Sequence, residues 1–172
     1  AIISDVHNNL VNLKKVLDYC AKEKIETIIC CGDLANKETL EYFSDNFSGT
    51  IYYSFGNMDN DQLRHVSAGE KYKNTVISKN FGEAEIHGKK IALIHFPESA
   101  KKLCQSGKYD FVFFGHTHKP WISYAKATAD QGQKKCTLLN PGNVAGEIYP
   151  PTFAVWETDS DKFDLVRVHE LK

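Results

Sequence analysis

The sequence predicts an α/β domain in which two β-sheets pack face to face and helices cover their outer faces. In the first third of the chain, short apolar runs alternate with amphipathic segments, which is typical of βαβ units with parallel strands. The second half consists mostly of short apolar runs that follow one another without helices. No linker, repeat or low-complexity tract divides the chain, so we expect a single domain over residues 1–172.

The first half predicts alternating strands and helices. After the first apolar run, apolar residues recur at helical spacing from Leu10 to Cys20, and Asn8 or Asn9 would cap this helix. Only four residues precede the first polar motif, so we expect a few further residues of the first strand to lie before Ala1. The predicted elements of this half are strands at 1–4, 27–29 and 50–54, helices at 10–20 and 36–45, and a loop or short helix at 59–69.

The second half predicts a hairpin, one helix and a series of strands. Polar and apolar residues alternate up to a His-Gly-Lys-Lys sequence, which predicts a tight hairpin turn. Pro97 fits the first turn of a helix that ends near Gly107. We expect Trp121 and Tyr124 to pack in the core. The predicted strands lie at 83–87, 91–94, 111–114, 121–124, 136–139, 153–156 and 163–168, with the tight turn at 87–90.

Composition argues against several classes of function. The chain carries 21 Lys and Arg against 22 Asp and Glu, so no overall field attracts nucleic acid or an acidic membrane. Nucleic acid is therefore not expected as a partner, except as a substrate. No apolar run approaches the roughly 20 residues that cross a bilayer, and no charged leader precedes a hydrophobic signal stretch. We expect a soluble cytoplasmic protein with no membrane partner.

The five cysteines are odd in number and lack the paired spacing of a zinc module. We expect reduced thiols that are mostly buried. Cys30 and Cys31 lie in an apolar strand just before Gly32-Asp33. Because successive side chains of a strand alternate, their thiols should face opposite sides of the sheet.

Six of the apolar runs stop at polar clusters. If these runs are buried strands, the clusters lie along one rim, where α/β sheets usually bind ligands. Taken singly, each cluster has a simpler interpretation, namely a helix cap, a turn or a surface histidine. Their common position at strand ends favours a shared site. Seven nitrogen and oxygen donors would gather there, enough for two metal ions, and they are Asp5, His7, Asp33, Asn57, His95, His116 and His118.

The order of these motifs carries a family resemblance. The series Asp5-x-His7, Gly32-Asp33, Gly56-Asn57-x-Asp59, His95, Gly115-His116-Thr117-His118 and Asn140-Pro141-Gly142 resembles the calcineurin-like metallophosphoesterases, especially the small single-domain prokaryotic phosphodiesterases. The resemblance covers almost the whole chain. It implies a four-layer α/β/β/α sandwich with two mixed β-sheets and a dinuclear metal centre.

The resemblance also implies a ligand set and a reaction. By similarity, the first ion would be held by Asp5, His7, Asp33 and His118, and the second by Asp33, Asn57, His95 and His116. Asp33 would bridge the ions, and Asn57 would also orient a phosphoryl oxygen. These two residues and His95 are the ones expected to serve catalysis. Family usage favours Mn²⁺, while Ni²⁺, Fe²⁺ and Zn²⁺ also suit these ligands.

The expected activity is that of a hydrolase, a metal-dependent phosphoesterase and more specifically a phosphodiesterase. Two cations would lower the pKa of a bridging water, and the resulting hydroxide would attack phosphorus without a covalent enzyme intermediate. Relatives often form dimers, but the oligomeric state, including a homodimer, stays open. The alternative is a catalytically weak or inactive protein-binding scaffold of the same fold, similar to the metallophosphoesterase-like subunit of the retromer coat. The natural substrate stays open.

Two positions depart from the family pattern. Many relatives carry a histidine after the metal-binding asparagine, where it can protonate the leaving group, but this chain has Met58. General acid catalysis is typically worth about 10² to 10⁴ in rate, so esters with poor leaving groups should be affected most. Phe96 replaces a common glycine and narrows the expected cleft. Asp59 is expected to orient its neighbours, and the segment 140–143 is interpreted as a turn on the same rim.

Overall fold

Two mixed β-sheets form the centre of the protein, which a computed structural model describes over residues 1–66, 72–126 and 135–171. Within these ranges, four α-helices accompany the sheets. The last part of the predicted loop or short helix, at 67–69, lies outside the described residues. The elements are β1 (Ile2–Ile3), α1 (Leu10–Lys22), β2 (Thr27–Cys30), α2 (Lys37–Asp45), β3 (Thr50–Ser54), α3 (Asp61–Arg64), β4 (Thr75–Ser78), β5 (Gly82–Ile86), β6 (Lys89–Leu93), α4 (Pro97–Gln105), β7 (Phe111–Phe113), β8 (Trp121–Lys126), β9 (Lys135–Asn140), β10 (Thr152–Glu157), β11 (Lys162–Arg167) and a 3₁₀ helix at Val168–Glu170.

The strand order combines parallel and antiparallel neighbours in both sheets. The first sheet runs β11-β10-β1-β2-β3-β4, and its strands β1 to β4 are parallel to one another. The second sheet runs β5-β6-β7-β9-β8, with β6, β7 and β9 parallel. The predicted βαβαβ start is confirmed, as is the helix-poor second half. Strand β4 was not predicted, because its few apolar residues lie among polar ones.

Three apolar layers separate the sheets and helices. One lies between the first sheet and the helices α1 and α2 and includes Leu13, Phe43 and Tyr53. A second, with Phe111 and Phe113, fills the space between the two sheets. A third lies between the second sheet and α4. The four-layer α/β/β/α arrangement expected from the resemblance is therefore confirmed.

Helix and turn signals of the sequence are confirmed with small changes. Asn9 caps α1, since its side chain accepts a hydrogen bond from Asn12 N at 3.0 Å. Pro97 is the first residue of α4, as predicted. The hairpin turn is tighter than predicted, because only His87 and Gly88 form it, at φ 49° and 74°.

Two predictions about side chains are wrong. Cys104 and Cys136 form a disulfide that joins α4 to β9, so these two cysteines are not reduced thiols. Their spacing in the sequence carried no signal of this pairing, which depends on how α4 packs on the second sheet. Trp121 and Tyr124 are exposed on β8 instead of packing in the core, because β8 is an edge strand.

Other predictions about the cysteines hold. Cys20, Cys30 and Cys31 are free and buried. Cys30 packs with the layer beneath the helices, whereas Cys31 packs between the sheets, so the two thiols lie on opposite faces as predicted. Of the helices that the structure describes, none combines the length and the apolar character needed to cross a membrane.

Backbone hydrogen bonds bring the polar segments together at one rim. Asp5 N donates to Gly32 O at 3.1 Å, which joins the segments after β1 and β2. Gly115 N donates to His95 O at 3.1 Å, which joins the segments after β7 and β6. Val144 N reaches across to Ser4 O at 3.0 Å and so connects the two sheets at this edge. The carboxyl ends of the parallel strands thus form a single rim, as α/β sheets do at their ligand sites.

Candidate metal centre

All seven predicted donors meet at this rim. On one side, Asp5 Oδ1 lies 3.3 Å from His118 Nε2 and 3.7 Å from His7 Nε2. The ring centroids of these two histidines are 5.1 Å apart. Asp5 is fully buried and His118 nearly so, whereas His7 is partly exposed. Asp5, His7 and His118 form a group whose ligand atoms all lie within 4.8 Å of one another.

The other predicted donors form a second group beside the first. Asn57 Oδ1 lies 2.9 Å from both His95 Nε2 and His116 Nδ1. Asp33 Oδ2 lies 3.2 Å from His95 Nε2 and 3.8 Å from His7 Nε2. One carboxylate oxygen therefore faces imidazoles of both groups.

The backbone fixes the tautomers of two imidazoles. His95 Nδ1 donates a hydrogen bond to Cys31 O at 2.8 Å, and His118 Nδ1 donates to Glu147 O at 3.3 Å. A carbonyl oxygen can only accept, so the neutral form of each ring keeps Nε2 unprotonated and directed into the site. Partners of this kind orient the histidine ligands of metal sites.

Five of the seven predicted donors have positive φ, namely Asp5 at 54°, His7 at 45°, Asp33 at 57°, His116 at 70° and His118 at 57°. This conformation is uncommon for residues other than glycine and costs of order 1–3 kcal/mol at each position. Strained backbone of this kind concentrates where side-chain direction matters more than stability. Here it turns side chains toward the rim immediately after the strands end.

Two glycines leave the space that the donors occupy. A Cβ atom on Gly56 would lie 2.1 Å from Asp33 Oδ1, and one on Gly115 would lie 1.9 Å from Ser4 Oγ and 2.8 Å from Asp5 Oδ2. Either contact would displace a buried aspartate. The glycines of the Gly-Asn and Gly-His motifs therefore serve close approach of the loops to the site.

Charges within the cluster shift several pKa values. Burial by itself would raise the pKa of Asp5, but the imidazoles of His118 and His7 hold that pKa well below its usual range. The Asp5 carboxylate in turn raises the pKa of both imidazoles. Burial would lower the pKa of His95, but the Asp33 carboxylate outweighs it and raises that pKa. The carboxylates thus create a negative potential that attracts protons and would also attract a divalent cation.

Two atoms of the cluster are orphaned by ordinary hydrogen-bonding rules. Asp5 Oδ1 and His7 Nε2 are buried, and neither has a hydrogen-bond partner among the residues that the structure describes. Leaving a buried polar atom unsatisfied costs about 1–3 kcal/mol. Both atoms nevertheless lie close to other donors of the same group. Carboxylate and imidazole groups that converge without bonding to one another fit a divalent transition-metal ion.

Asp59 connects the loops that carry Asp33 and Asn57. Its Oδ2 accepts hydrogen bonds from Gly56 N at 2.6 Å and Asp33 N at 3.2 Å, and its Oδ1 accepts one from Ala35 N at 2.8 Å. The carboxylate is 3% exposed and so replaces water as the acceptor for all three amides. The prediction that Asp59 orients its neighbours agrees with these contacts.

Two asparagines of the 140–143 segment support the histidine loop, which the sequence did not indicate. The segment does form a turn, because Gly142 N donates to Asn140 Oδ1 at 2.8 Å. The amide of Asn140 also donates to Gly115 O at 2.8 Å, and that of Asn143 donates to His118 O at 3.2 Å. These contacts span 25 residues of sequence, and an Asn-Pro-Gly-Asn pattern signals only the local turn.

The two departures from the family pattern both lie at the mouth of the site. Met58 follows Asn57 and is 54% exposed, and its backbone N donates to Asp33 Oδ1 at 2.7 Å. Phe96 follows His95, and its ring contacts the rings of His95 and His116. Two large apolar side chains therefore flank the second group of donors at the mouth of the site.

Sequence comparison decides the family. Residues 1–161 match the family model of the calcineurin-like phosphoesterase superfamily domain. The chain belongs to the calcineurin-like phosphoesterase superfamily. The four-layer architecture described above is therefore that of a calcineurin-like phosphoesterase domain.

Similar proteins span this calcineurin-like domain from end to end. Phosphodiesterase MJ0936 of Methanocaldococcus jannaschii is 26% identical over 165 residues, which is 94% of either chain. A solved archaeal phosphodiesterase superposes with a TM-score of 0.79 at 26% identity, and the match covers 96% of this chain and 97% of that one. Vacuolar protein sorting 29 of Cryptosporidium parvum has a TM-score of 0.63 at 19% identity, with 96% and 93% covered, and shows the shared fold.

Proposed function

We propose that this calcineurin-like domain is a metal-dependent phosphodiesterase with a dinuclear centre. One observation carries the proposal: Asp33 Oδ2 faces His95 Nε2 at 3.2 Å and His7 Nε2 at 3.8 Å, so a single carboxylate oxygen serves both groups of donors. A shared carboxylate is the usual means of holding two divalent ions about 3.5–4 Å apart. Phosphodiesterase activity in the 26% identical archaeal relative supports the reaction class.

The proposed ligand set is the one implied by the resemblance. Asp5, His7 and His118 would hold one ion and Asn57, His95 and His116 the other, with Asp33 shared. When bound, the two ions would supply a hydroxide nucleophile near neutral pH and would withdraw electron density from the phosphoryl oxygens.

The chain's own residues would prepare this site before any substrate arrives. Cys31 O holds His95 in the tautomer that presents Nε2, and Glu147 O does the same for His118. Asp59 fixes the loops of Asp33 and Asn57 relative to each other. Asn57 is exposed at the mouth, which suits a side chain that binds metal and also orients a phosphoryl oxygen.

A protein-binding scaffold of the same fold is the second candidate. Its support is the structural likeness to vacuolar protein sorting 29, which at 19% identity concerns the fold alone. A scaffold has no need to bring seven donors together or to hold five of them in strained backbone. The geometry of the site therefore favours the enzyme.

Hydrolysis of an aryl phosphodiester with added Mn²⁺ tests the proposal. Asp33→Asn removes the shared carboxylate and His116→Ala removes an imidazole at the mouth, and either change should abolish turnover while leaving the far-ultraviolet circular dichroism unchanged. His169→Ala, which alters an exposed histidine near the C-terminal end, is the matched control and should keep full activity. Full turnover in both site variants would refute the proposed mechanism.

Several finer points stay predictions. The sequence and the resemblance support three of them, which are Mn²⁺ as the native ion, a cytoplasmic location and a single domain over residues 1–172. Whether the protein forms a homodimer stays open. A hydrolysis panel of aryl monoesters and diesters, cyclic nucleotides and nucleic acid, repeated with each candidate ion, would identify the preferred metal and the broad substrate class.

A further inference from the structure

Two exposed apolar side chains stand beside the candidate metal centre, each directly after a predicted ligand. Met58 follows Asn57 and is 54% exposed, and Phe96 follows His95 and is 43% exposed. Ligand sites are lined mainly by apolar and aromatic side chains with a few polar groups among them, and these two side chains give the rim that combination. Their position in the sequence means that each backbone segment presents a metal donor and an apolar surface side by side.

The ring of Phe96 is held against the second group of donors. The rings of His95, Phe96 and His116 form a triangle in which every pair of centroids is 5.1 Å apart. The Phe96 ring meets the two imidazoles at 79° and 63°, so it contacts them in tilted, edge-type geometry. An exposed ring in this position can accept a further ring at the usual centroid separation of about 4.5–7 Å.

The backbone of Phe96 is preorganised but serves no capping role. Phe96 occupies the N-cap position of α4, where Ser, Thr, Asp or Asn usually accepts a hydrogen bond from the helix, and its side chain makes no such bond. The following Pro97 restricts Phe96 to extended backbone, which agrees with φ −87° and ψ 133°. The position therefore gives up a stabilising cap and holds an aromatic ring at the mouth of the site.

Met58 adds a constraint on the leaving group. The thioether of Met58 lies directly after Asn57 and has no proton to donate, so this side chain cannot protonate the departing oxygen. Hydrolysis joins the water oxygen to phosphorus and breaks the bond from phosphorus to the leaving oxygen, which departs with the electron pair. An alkoxide leaves poorly in this way, whereas a phenolate leaves readily and takes its proton from solvent.

We infer that the site takes phosphoesters whose leaving arm is an aromatic alcohol, with the arm stacked on Phe96 and the phosphoryl group at the metal donors. The inference deepens the proposed phosphoesterase function and rests on it. Phe96 supplies affinity for a planar arm, and Met58 explains why an acidic, aromatic alcohol is the arm that departs without help.

Binding of phosphonates to the Mn²⁺-loaded protein tests the stacking directly, without turnover. Isothermal titration calorimetry would compare phenylphosphonate, cyclohexylphosphonate and methylphosphonate. The parent protein should bind phenylphosphonate about 2- to 10-fold more tightly than the other two, the effect of one aromatic contact. Phe96→Ala should remove this preference. Tyr124→Ala, which removes an exposed ring on the edge strand β8, should leave the preference intact.

The possible results separate the inference from the function beneath it. Equal binding of the phenyl and cyclohexyl compounds by the parent, or a preference that survives Phe96→Ala, would overturn the aromatic assignment. Hydrolysis of a phenyl ester and of a hexafluoroisopropyl ester completes the comparison, because both alcohols are acidic but only phenol carries an aromatic ring. Phe96→Ala should raise KM about 2- to 10-fold for the phenyl ester and leave KM for the other ester unchanged. Failure of the loaded parent to turn over either ester or to bind any phosphonate would remove the proposed function itself.

Discussion

Replacing Asp59 with asparagine should loosen the two loops that carry Asp33 and Asn57. The carboxylate accepts three backbone hydrogen bonds, from Gly56, Asp33 and Ala35, at 2.6, 3.2 and 2.8 Å. Asparagine keeps one oxygen acceptor and turns the other oxygen into an NH₂ group, which then faces a backbone N–H donor. At least one bond is lost, and the rest lose the help of the negative charge.

The size of the effect follows from these contacts. Hydrogen bonds to a charged group contribute about 1.5–3 kcal/mol each, so Asp59→Asn should lower the free energy of unfolding by about 2–4 kcal/mol. Removal of a group that orients metal ligands typically weakens metal binding by about 10- to 100-fold. Urea denaturation in EDTA would measure the first quantity, and calorimetric titration with Mn²⁺ would measure the second.

Asp18→Asn is the matched control, because Asp18 forms an exposed ion pair with Lys14 on α1 and such pairs contribute only about 0–1 kcal/mol. It should leave the Mn²⁺ affinity unchanged. If Asp59→Asn kept both the unfolding free energy and the Mn²⁺ affinity of the parent, Asp59 would have no orienting role and the reasoning would be refuted.

Three further predictions concern the leaving group, the disulfide and pH. Met58→His should raise kcat for esters with poor leaving groups by up to about 10²-fold and should change kcat for aryl esters little. A gain confined to aryl esters in the same kinetic assay would contradict the argument that the site lacks a general acid at position 58. Reduction of the Cys104–Cys136 disulfide, or replacement of both cysteines by serine, should lower the free energy of unfolding by about 3–4 kcal/mol, because the bond closes a loop of 32 residues. An unchanged free energy of unfolding in urea would contradict this prediction. The pKa values of His7, His95 and His118 are raised in the folded protein. In EDTA, the stability that protonation of these histidines contributes is therefore complete below the ordinary histidine pKa of about 6.5. It is lost as the pH rises through their pKa values in the folded protein. The melting temperature in EDTA should therefore fall as the pH rises above about 6.5, and a rising profile would count against the charge coupling. Saturating Mn²⁺ should reverse this trend, because protons compete with the ion for the same nitrogens.

The sequence predicted the architecture well because its signals are local. Apolar runs that end at polar clusters mark parallel strands and their carboxyl ends, and the rim follows from the geometry of α/β sheets. That rule was enough to predict that the segments of His7 and His118 meet. The contact between these segments is long-range, since His116 N donates a hydrogen bond to Asp5 Oδ2 across 111 residues of sequence. Helix α4 was equally clear, since Pro97 marks its first turn.

Features that depend on tertiary contacts were not predictable from the same signals. Strand β4 becomes a strand by pairing with β3, because its apolar run of only Val76 and Ile77 is too short to mark a strand by itself. The Cys104–Cys136 disulfide depends on the distance between α4 and β9. Asn143 belongs to a turn by its sequence, yet its amide supports the backbone of His118 from 25 residues away. In each case the feature depends on a partner from another element or loop, which spacing along the chain does not reveal.

Anomalous scattering from crystals grown with Mn²⁺ tests the central claim most directly. The account predicts two anomalous peaks per chain, both in contact with the Asp33 carboxylate, with Asp5, His7 and His118 around one and Asn57, His95 and His116 around the other. A map with no peak at the rim, or with a single ion that leaves either group of donors unused, would contradict the account.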